Sequence, residues 1–189
     1  MRIISGSARG RTLTAPRGRD TRPTQDYVRE SLFNIIQRDV PGSTVLDLFA
    51  GSGALALEAL SRGASRAVLA DRSRQATECI RRNAETLGFT EQSEILQCDW
   101  RTALARLARS GACFDLVFLD PPYELALYPE MVESLASRQL LADGALIVIE
   151  HRKDIRFDLS PSFKPRDLRT YGDTGIHLYT YQPGGSADG

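Results

Sequence analysis

Between residues 44 and 150, short apolar runs alternate with longer segments whose apolar residues recur at helical spacing. The runs fall at 44–49, 67–70, 94–97, 114–119 and 145–150, with helix-like segments at 52–61, 73–87, 102–108 and 129–137 between them. Strands that are apolar at nearly every position are buried on both faces, and parallel pairing needs a helical crossover between them. The alternation therefore predicts an α/β domain, a mainly parallel sheet covered by helices on both sides. After His151, two strand-like stretches at 167–170 and 175–181 have no helix between them. They predict an antiparallel hairpin on the sheet edge, seven strands in all and the last one antiparallel. A chain of 189 residues suits one such domain.

The flanks read differently. Residues 2–15 alternate weakly around Gly6 and Gly10, which predicts a short N-terminal β-hairpin or extended arm. A helix follows, with Thr24 placed to cap it, Asp26 in its positive first turn, and Val28, Leu32, Phe33, Ile35 and Ile36 on one face, ended by Pro41-Gly42. The expected organisation is an arm over 1–20, a domain over 21–181 and an unstructured tail over 182–189. Net charge is zero, but residues 1–38 hold eight arginines against Asp20, Asp26 and Glu30, so a basic arm joins an acidic body. Such asymmetry points to a polyanionic partner, contacted by Arg2, Arg9, Arg11, Arg17, Arg19 and Arg22. These arginines precede the first clear helix, so removing residues 1–19 is expected to spare the sheet. No apolar run approaches a membrane span and the start lacks a signal-peptide core, so a cytoplasmic protein is expected. Cys79, Cys98 and Cys113, with only His151 and His177 beside them, have neither metal-site nor disulfide spacing, and no metal is expected.

Three strand ends carry chemistry. The segment from Val45 to Ala56 is a strand, a Gly-rich turn (Phe49-Ala50-Gly51-Ser52-Gly53) and a helix start, in which backbone N–H groups can approach a ligand closely. It also satisfies the dinucleotide pattern, with Gly51, Gly53 and Ala56 in the glycine positions and Asp71 twenty residues on, so an NAD-dependent or non-catalytic nucleotide-binding protein is one reading. Asp47 departs from that pattern, because an acid inside an apolar strand needs a partner such as a ligand ammonium. Asp71, followed by Arg72, ends the second strand where a carboxylate can take both ribose hydroxyls. Asp99 and Trp100 end the third, where they could accept from an adenine amino group and stack on its ring. Directly after the fourth strand, Asp120-Pro121-Pro122-Tyr123 sets acceptors without N–H donors in a rigid turn beside an aromatic face, which suits a nucleobase exocyclic amine.

The strand-turn at 45–53 with Asp120-Pro121-Pro122-Tyr123 resembles class I S-adenosylmethionine-dependent methyltransferases acting on exocyclic amines. The segments Arg2–Gly6 with Arg9-Gly10-Arg11, Arg22-Pro23-Thr24 with Val28–Asn34, Ser52–Leu55 with Glu58–Ala64, and Tyr171–Thr174 further resemble the RsmD family of small-subunit rRNA guanine-N2 methyltransferases, over the chain except its tail. The resemblance implies a Rossmann-like methyltransferase fold over 21–181 and S-adenosyl-L-methionine as cofactor, held by the Gly51 turn, Asp71 and Asp99. It also implies a catalytic element at Asp120–Tyr123, with Arg22, Pro23 and Thr24 lining the cleft. The implied substrate is a guanine of 16S rRNA, nominally guanine 966, in a small ribosomal subunit or assembly intermediate. Where the family commonly has Glu-x-Asp, this chain has Asp71-Arg72-Ser73. The tetrapeptide is shared with DNA adenine-N6 and cytosine-N4 methyltransferases, which form the alternative enzyme reading.

Overall fold

The apolar runs become strands and the spaced segments become helices. The computed structural model describes residues 1–16, 23–122 and 127–184, with the side chains of its first helix from Asp26 onward. Its elements are α1 (Pro23–Ile35), β1 (Thr44–Asp47), α2 (Ala54–Ser61), β2 (Arg66–Asp71), α3 (Arg74–Leu87), a 3-10 turn (Thr90–Gln92), β3 (Ser93–Gln97) and α4 (Trp100–Arg109). The chain continues through β4 (Phe114–Leu119), α5 (Tyr128–Ser137), β5 (Leu141–Arg152), β6 (Phe163–Tyr171) and β7 (Thr174–Tyr181). Helix α1 starts at Pro23, where a missing N–H costs nothing, so Thr24 lies inside its first turn rather than ahead of it as a cap. Among the described residues no helix is long and apolar enough to cross a membrane.

The seven strands form one sheet in the order β3-β2-β1-β4-β5-β7-β6. Strands β1 to β5 are mutually parallel, and β7 lies antiparallel between β5 and β6. This is the Rossmann-like class I methyltransferase architecture. The hairpin lies on the sheet edge as the sequence predicts, with β7 against β5 and β6 outermost, running with the first five strands. Strand order reverses between β1 and β4, which opens a crevice at their carboxyl ends.

Alternation of side chains along each strand divides the interior into two cores. Val45, Leu69, Leu116, Phe118, Leu146 and Val148 face α1, α2 and α3, while Leu46, Val117, Leu119, Ile147 and Ile149 face α4 and α5. Phe33 of α1 meets Phe118 with ring centroids 5.9 Å apart.

The N-terminal segment belongs to the first core. Its hairpin is reduced to one antiparallel bridge, Arg2 to Thr12, but Ile3, Ala8 and Leu13 are buried with α1 to α3. Glu58, fully buried on α2, accepts from the backbone N–H groups of Ile4 at 2.7 Å and Ser5 at 3.0 Å and from Nε of Arg62 at 2.7 Å. The Ser61 hydroxyl donates to the Ser5 carbonyl and accepts from the Ala8 N–H. Asn83 of α3 accepts from the Thr14 N–H and donates to the carbonyls of Thr14 and Ser52. The expectation that residues 1–19 can be removed without touching the sheet is thus corrected: charge marked the segment as an appendage, but its three buried apolar residues and the buried acceptors beneath it make it part of the core. Asn83 moreover ties it to the Gly-rich turn through Ser52.

Gly6 offers the sharpest test of this docking. It has φ +85°, and a Cβ there would lie 1.8 Å from the carbonyl oxygen of Ser61. Gly6→Ala is expected to cost about 2 kcal/mol or more in urea unfolding, because both backbone strain and a backbone clash must be relieved. A loss below about 0.5 kcal/mol, the ordinary range for surface changes, would mean that the segment is not docked.

Candidate active site

Strand register lines up four carboxylates. Asp47 pairs with Leu69 on one side and Phe118 on the other, and Leu119 pairs with Ile149. Two residues further along, Asp71 ends β2 and Asp120 follows β4, with Glu150 of β5 in the same row as Asp120. The side-chain alternation that sends Val45, Leu69, Phe118 and Val148 toward α1 sends Asp47, Asp71, Asp120 and Glu150 the same way. The acids therefore share one face at the carboxyl edge, with Asp47 one pleat step inside the row.

Their environments follow from that crowding. Asp47 is 1% exposed, and its Oδ1 has no hydrogen-bond partner among the described residues. Burial first, then repulsion from Asp120 and Asp71, pushes its carboxyl up to about 8, against the opposing pull of the backbone N–H groups of Phe49 and Ala56. Burial and Asp120 likewise push Glu150 up to about 8. Such a row calls for positive charge. Among the described residues no three His, Cys, Asp or Glu side chains converge as metal ligands would. The Asp47 oxygen is an acceptor without a partner among the described residues, at the head of the crevice.

The Gly-rich turn lies beside this row, at the end of β1. Gly51 has φ +56° and Gly53 φ +80°, and a Cβ on Gly53 would crowd Leu57 and Leu69 at 3.1 Å. Ala50 donates to the Ala70 carbonyl and Gly53 to that of Ala50, which pins the turn against β2. Ala50, Gly51, Ser52 and Gly53 are buried and Phe49 is half-buried. Gly53 heads α2 without any side-chain cap, leaving the positive end of that helix to a ligand. One oxygen of Asp71 accepts from Gly51 N–H at 3.0 Å and the other from Ser73 N–H at 2.8 Å, so the carboxylate is fixed while each oxygen keeps a lone pair for a hydroxyl. Arg72 beside it is exposed.

At the third strand end, Asp99 caps α4, accepting from the N–H groups of Arg101 and Thr102 and from the Thr102 hydroxyl, and those bonds hold its carboxyl below the usual range. Trp100 is 5% exposed and packs in the α4/α5 core, with the Arg101 guanidinium 4.3 Å from its ring centroid. The stacking surface expected of Trp100 is therefore taken. An aromatic next to a helix cap can equally serve the core, and here it does. Pro121 is buried and Pro122 half-buried after Asp120. Tyr123, Arg17, Arg19 and Arg22 lie outside the described residues, as does the Thr24 side chain. Arg2, Arg9 and Arg11 are exposed, and the first two line a cleft of about 420 Å³ with Ile3, Ile4, Asp26, Tyr27 and Glu30. The sequence reading missed Glu150, taking it for a strand end. The signal was an acid closing an apolar run, the same one that marked Asp47.

By fold, the chain is a class I methyltransferase. The family described as conserved hypothetical protein 95 matches residues 1–180. The chain is 39% identical over 184 residues to the Bacillus subtilis protein YlbH, covering 95% of this chain and 98% of that one. It is 35% identical over 189 residues to Escherichia coli ribosomal RNA small subunit methyltransferase D, covering all of this chain and 93% of the relative. The solved Escherichia coli protein yhhF superposes with a TM-score of 0.84 at 35% identity, over 96% of this chain and 98% of its own. The chain belongs to this family, that of ribosomal RNA small subunit methyltransferase D.

The buried acid makes stability depend on pH. Asp47 is raised from about 3.8 to about 8 on folding, so the native state holds a proton that the unfolded chain has released. Wild-type stability is expected to fall as pH rises from about 5 to 8, by up to about 1.4 kcal/mol per pH unit for each such proton. Urea unfolding of Asp47→Asn should show a shallower fall over the same window. Equal slopes for variant and wild type would contradict the burial of this carboxyl.

Proposed function

We propose that this protein transfers a methyl group from S-adenosyl-L-methionine to the exocyclic N2 amine of a guanine in 16S rRNA, nominally guanine 966. The substrate is the RNA within a small ribosomal subunit or assembly intermediate. The observation that carries this reading is the single-faced row of acids at the crevice, closed by Asp120-Pro121-Pro122. The family supports it, since the Escherichia coli relative is a small-subunit rRNA methyltransferase by name.

When bound, the cofactor supplies an electrophilic methyl on a sulfonium, transferable by direct displacement without an enzyme nucleophile. Asp47 and the turn at 49–53 hold its charged end, and Asp71 accepts from its ribose. The Asp120 carboxylate and the Pro121 carbonyl accept the two amine hydrogens, turning the nitrogen lone pair out of conjugation with the ring. Asp120 then takes the proton that the amine gives up, and Tyr123 stacks on the base. Arg2, Arg9 and Arg11, exposed on the docked N-terminal segment, meet RNA phosphates, joined by Arg17, Arg19 and Arg22. Carbon methylation of pyrimidines needs a cysteine nucleophile, and none of Cys79, Cys98 and Cys113 adjoins the strand end that carries Asp120.

Asp120→Ala is expected to cut single-turnover transfer at least about 100-fold while leaving S-adenosylhomocysteine affinity within a few-fold. Transfer at the wild-type rate would remove Asp120 from the chemistry. Asp71→Ala should weaken that affinity about 10- to 150-fold, the range for a hydrogen bond to a charged group. An unchanged dissociation constant in calorimetry would take Asp71 out of the site. Mass mapping of 16S rRNA nucleosides from cells lacking the gene tests the base: a missing N2-methylguanosine supports the assignment, and a full complement of it overturns it.

A further inference from the structure

Glu150 has no part in the chemistry described so far. It is the one acid of the row that comes from β5, directly beside the residue that holds the amine. Ile149 pairs with Leu119, so the next residues on these parallel strands, Glu150 and Asp120, stand side by side on the α1 face. On its other flank Glu150 pairs with Ile176 of β7, which is buried and apolar. Asp47 of β1 lies beyond Asp120. Of the charged residues on α1, over the same face, Asp26 and Arg29 are paired with each other and Glu30 lines the cleft at the N-terminal segment. Among the described residues, the charge acting on Glu150 is that of Asp120. Two carboxyls in this position cannot both be ionised cheaply, so one proton between them is the favourable state.

We propose that Glu150 is a positioning residue for methyl transfer: its neutral carboxyl donates to the Asp120 carboxylate and holds it in the orientation that accepts the amine. The inference rests on the role proposed above for Asp120. It explains why an acid sits at a strand position whose preceding five residues are apolar and whose β7 partner is Ile176. Burial and Asp120 keep Glu150 protonated up to about pH 8, so the donor is present at neutral pH and is lost above it.

The test uses the full chain with small-subunit RNA from cells lacking the gene. Glu150→Gln keeps a donor of the same size, and Glu150→Met removes it. The Met variant is expected to lose kcat about tenfold or more, with S-adenosylhomocysteine affinity and melting temperature near wild type. The Gln variant should stay within about threefold at pH 7 and lose the fall in kcat that wild type shows above about pH 8. Infrared titration without cofactor or RNA gives a readout apart from turnover: in an Asp47→Asn background, which removes the other carboxyl that loses its proton near pH 8, the protonated-carboxyl band that disappears near pH 8 should be present with Glu150 and absent from Glu150→Gln. The proposal is overturned by wild-type kcat in the Met variant, by equal losses in the Met and Gln variants, by an unchanged alkaline limb, or by a loss of cofactor affinity matching the loss of rate. Asp120→Asn separates the two readings. If it transfers normally, the role of Asp120 itself has failed; if it is inactive while Glu150→Met is normal, only the positioning role has.

Discussion

Mutual repulsion among Asp47, Asp71, Asp120 and Glu150 is the constraint on which the site turns. Parallel register and the pleat leave no choice about it: acids at these four positions on β1, β2, β4 and β5 must share one face of one sheet edge. The protein meets part of the cost with Gly51 and Ser73 N–H groups on Asp71, and part by holding protons on Asp47 and Glu150. What remains unsatisfied is an oxygen of Asp47 at the reversal of strand order, where this architecture binds its ligands. In the proposed reading a cationic cofactor completes that arrangement and the substrate amine lies beside it at Asp120.

The N-terminal segment and the site are mechanically one unit. Glu58 and Ser61 fasten residues 4–8 to α2, whose first turn begins at the Gly-rich loop. Asn83 bonds at once to Thr14 and to the Ser52 carbonyl in that loop. Arg29 of α1, 5% exposed, donates to the Arg2 carbonyl. The exposed guanidinium groups of Arg2 and Arg9 are thus carried on backbone that is fixed relative to the turn at 51–53. If RNA binds these arginines as proposed, packed structure rather than a tether registers it against the crevice.

Most of the fold could be read from the sequence because buried parallel strands need apolar residues at almost every position, as in Phe114–Leu119, and such runs are hard to mistake. Which strand of the edge hairpin lies inside was less legible: nothing local says that β7 rather than β6 pairs with β5. Asp47 was legible because its acid interrupts an apolar strand. Glu150 carried the same mark but stood where a strand was expected to end, and β5 runs on to Arg152. Trp100 shows the reverse difference. A residue at a strand end can face a ligand or serve the core, and for Trp100 its packing at the start of α4 decides for the core. The arginines of the first segment drew attention to charge, while Ile3, Ala8 and Leu13, five residues apart, match neither the helical nor the strand period and gave no sign of burial.

The central claim is that buried Asp47 and the acids crowded beside it are matched by the positive charge of the ligand. Proton release on binding measures it directly. Calorimetric titration at pH 7 in buffers of different ionisation enthalpy should show S-adenosylmethionine expelling a substantial fraction of a proton, because a cation beside Asp47 draws its carboxyl down from about 8. S-adenosylhomocysteine, lacking the sulfonium charge, should expel less, and Asp47→Asn should reduce the release with either ligand. Binding with no dependence on buffer, for both ligands and both proteins, would contradict the account.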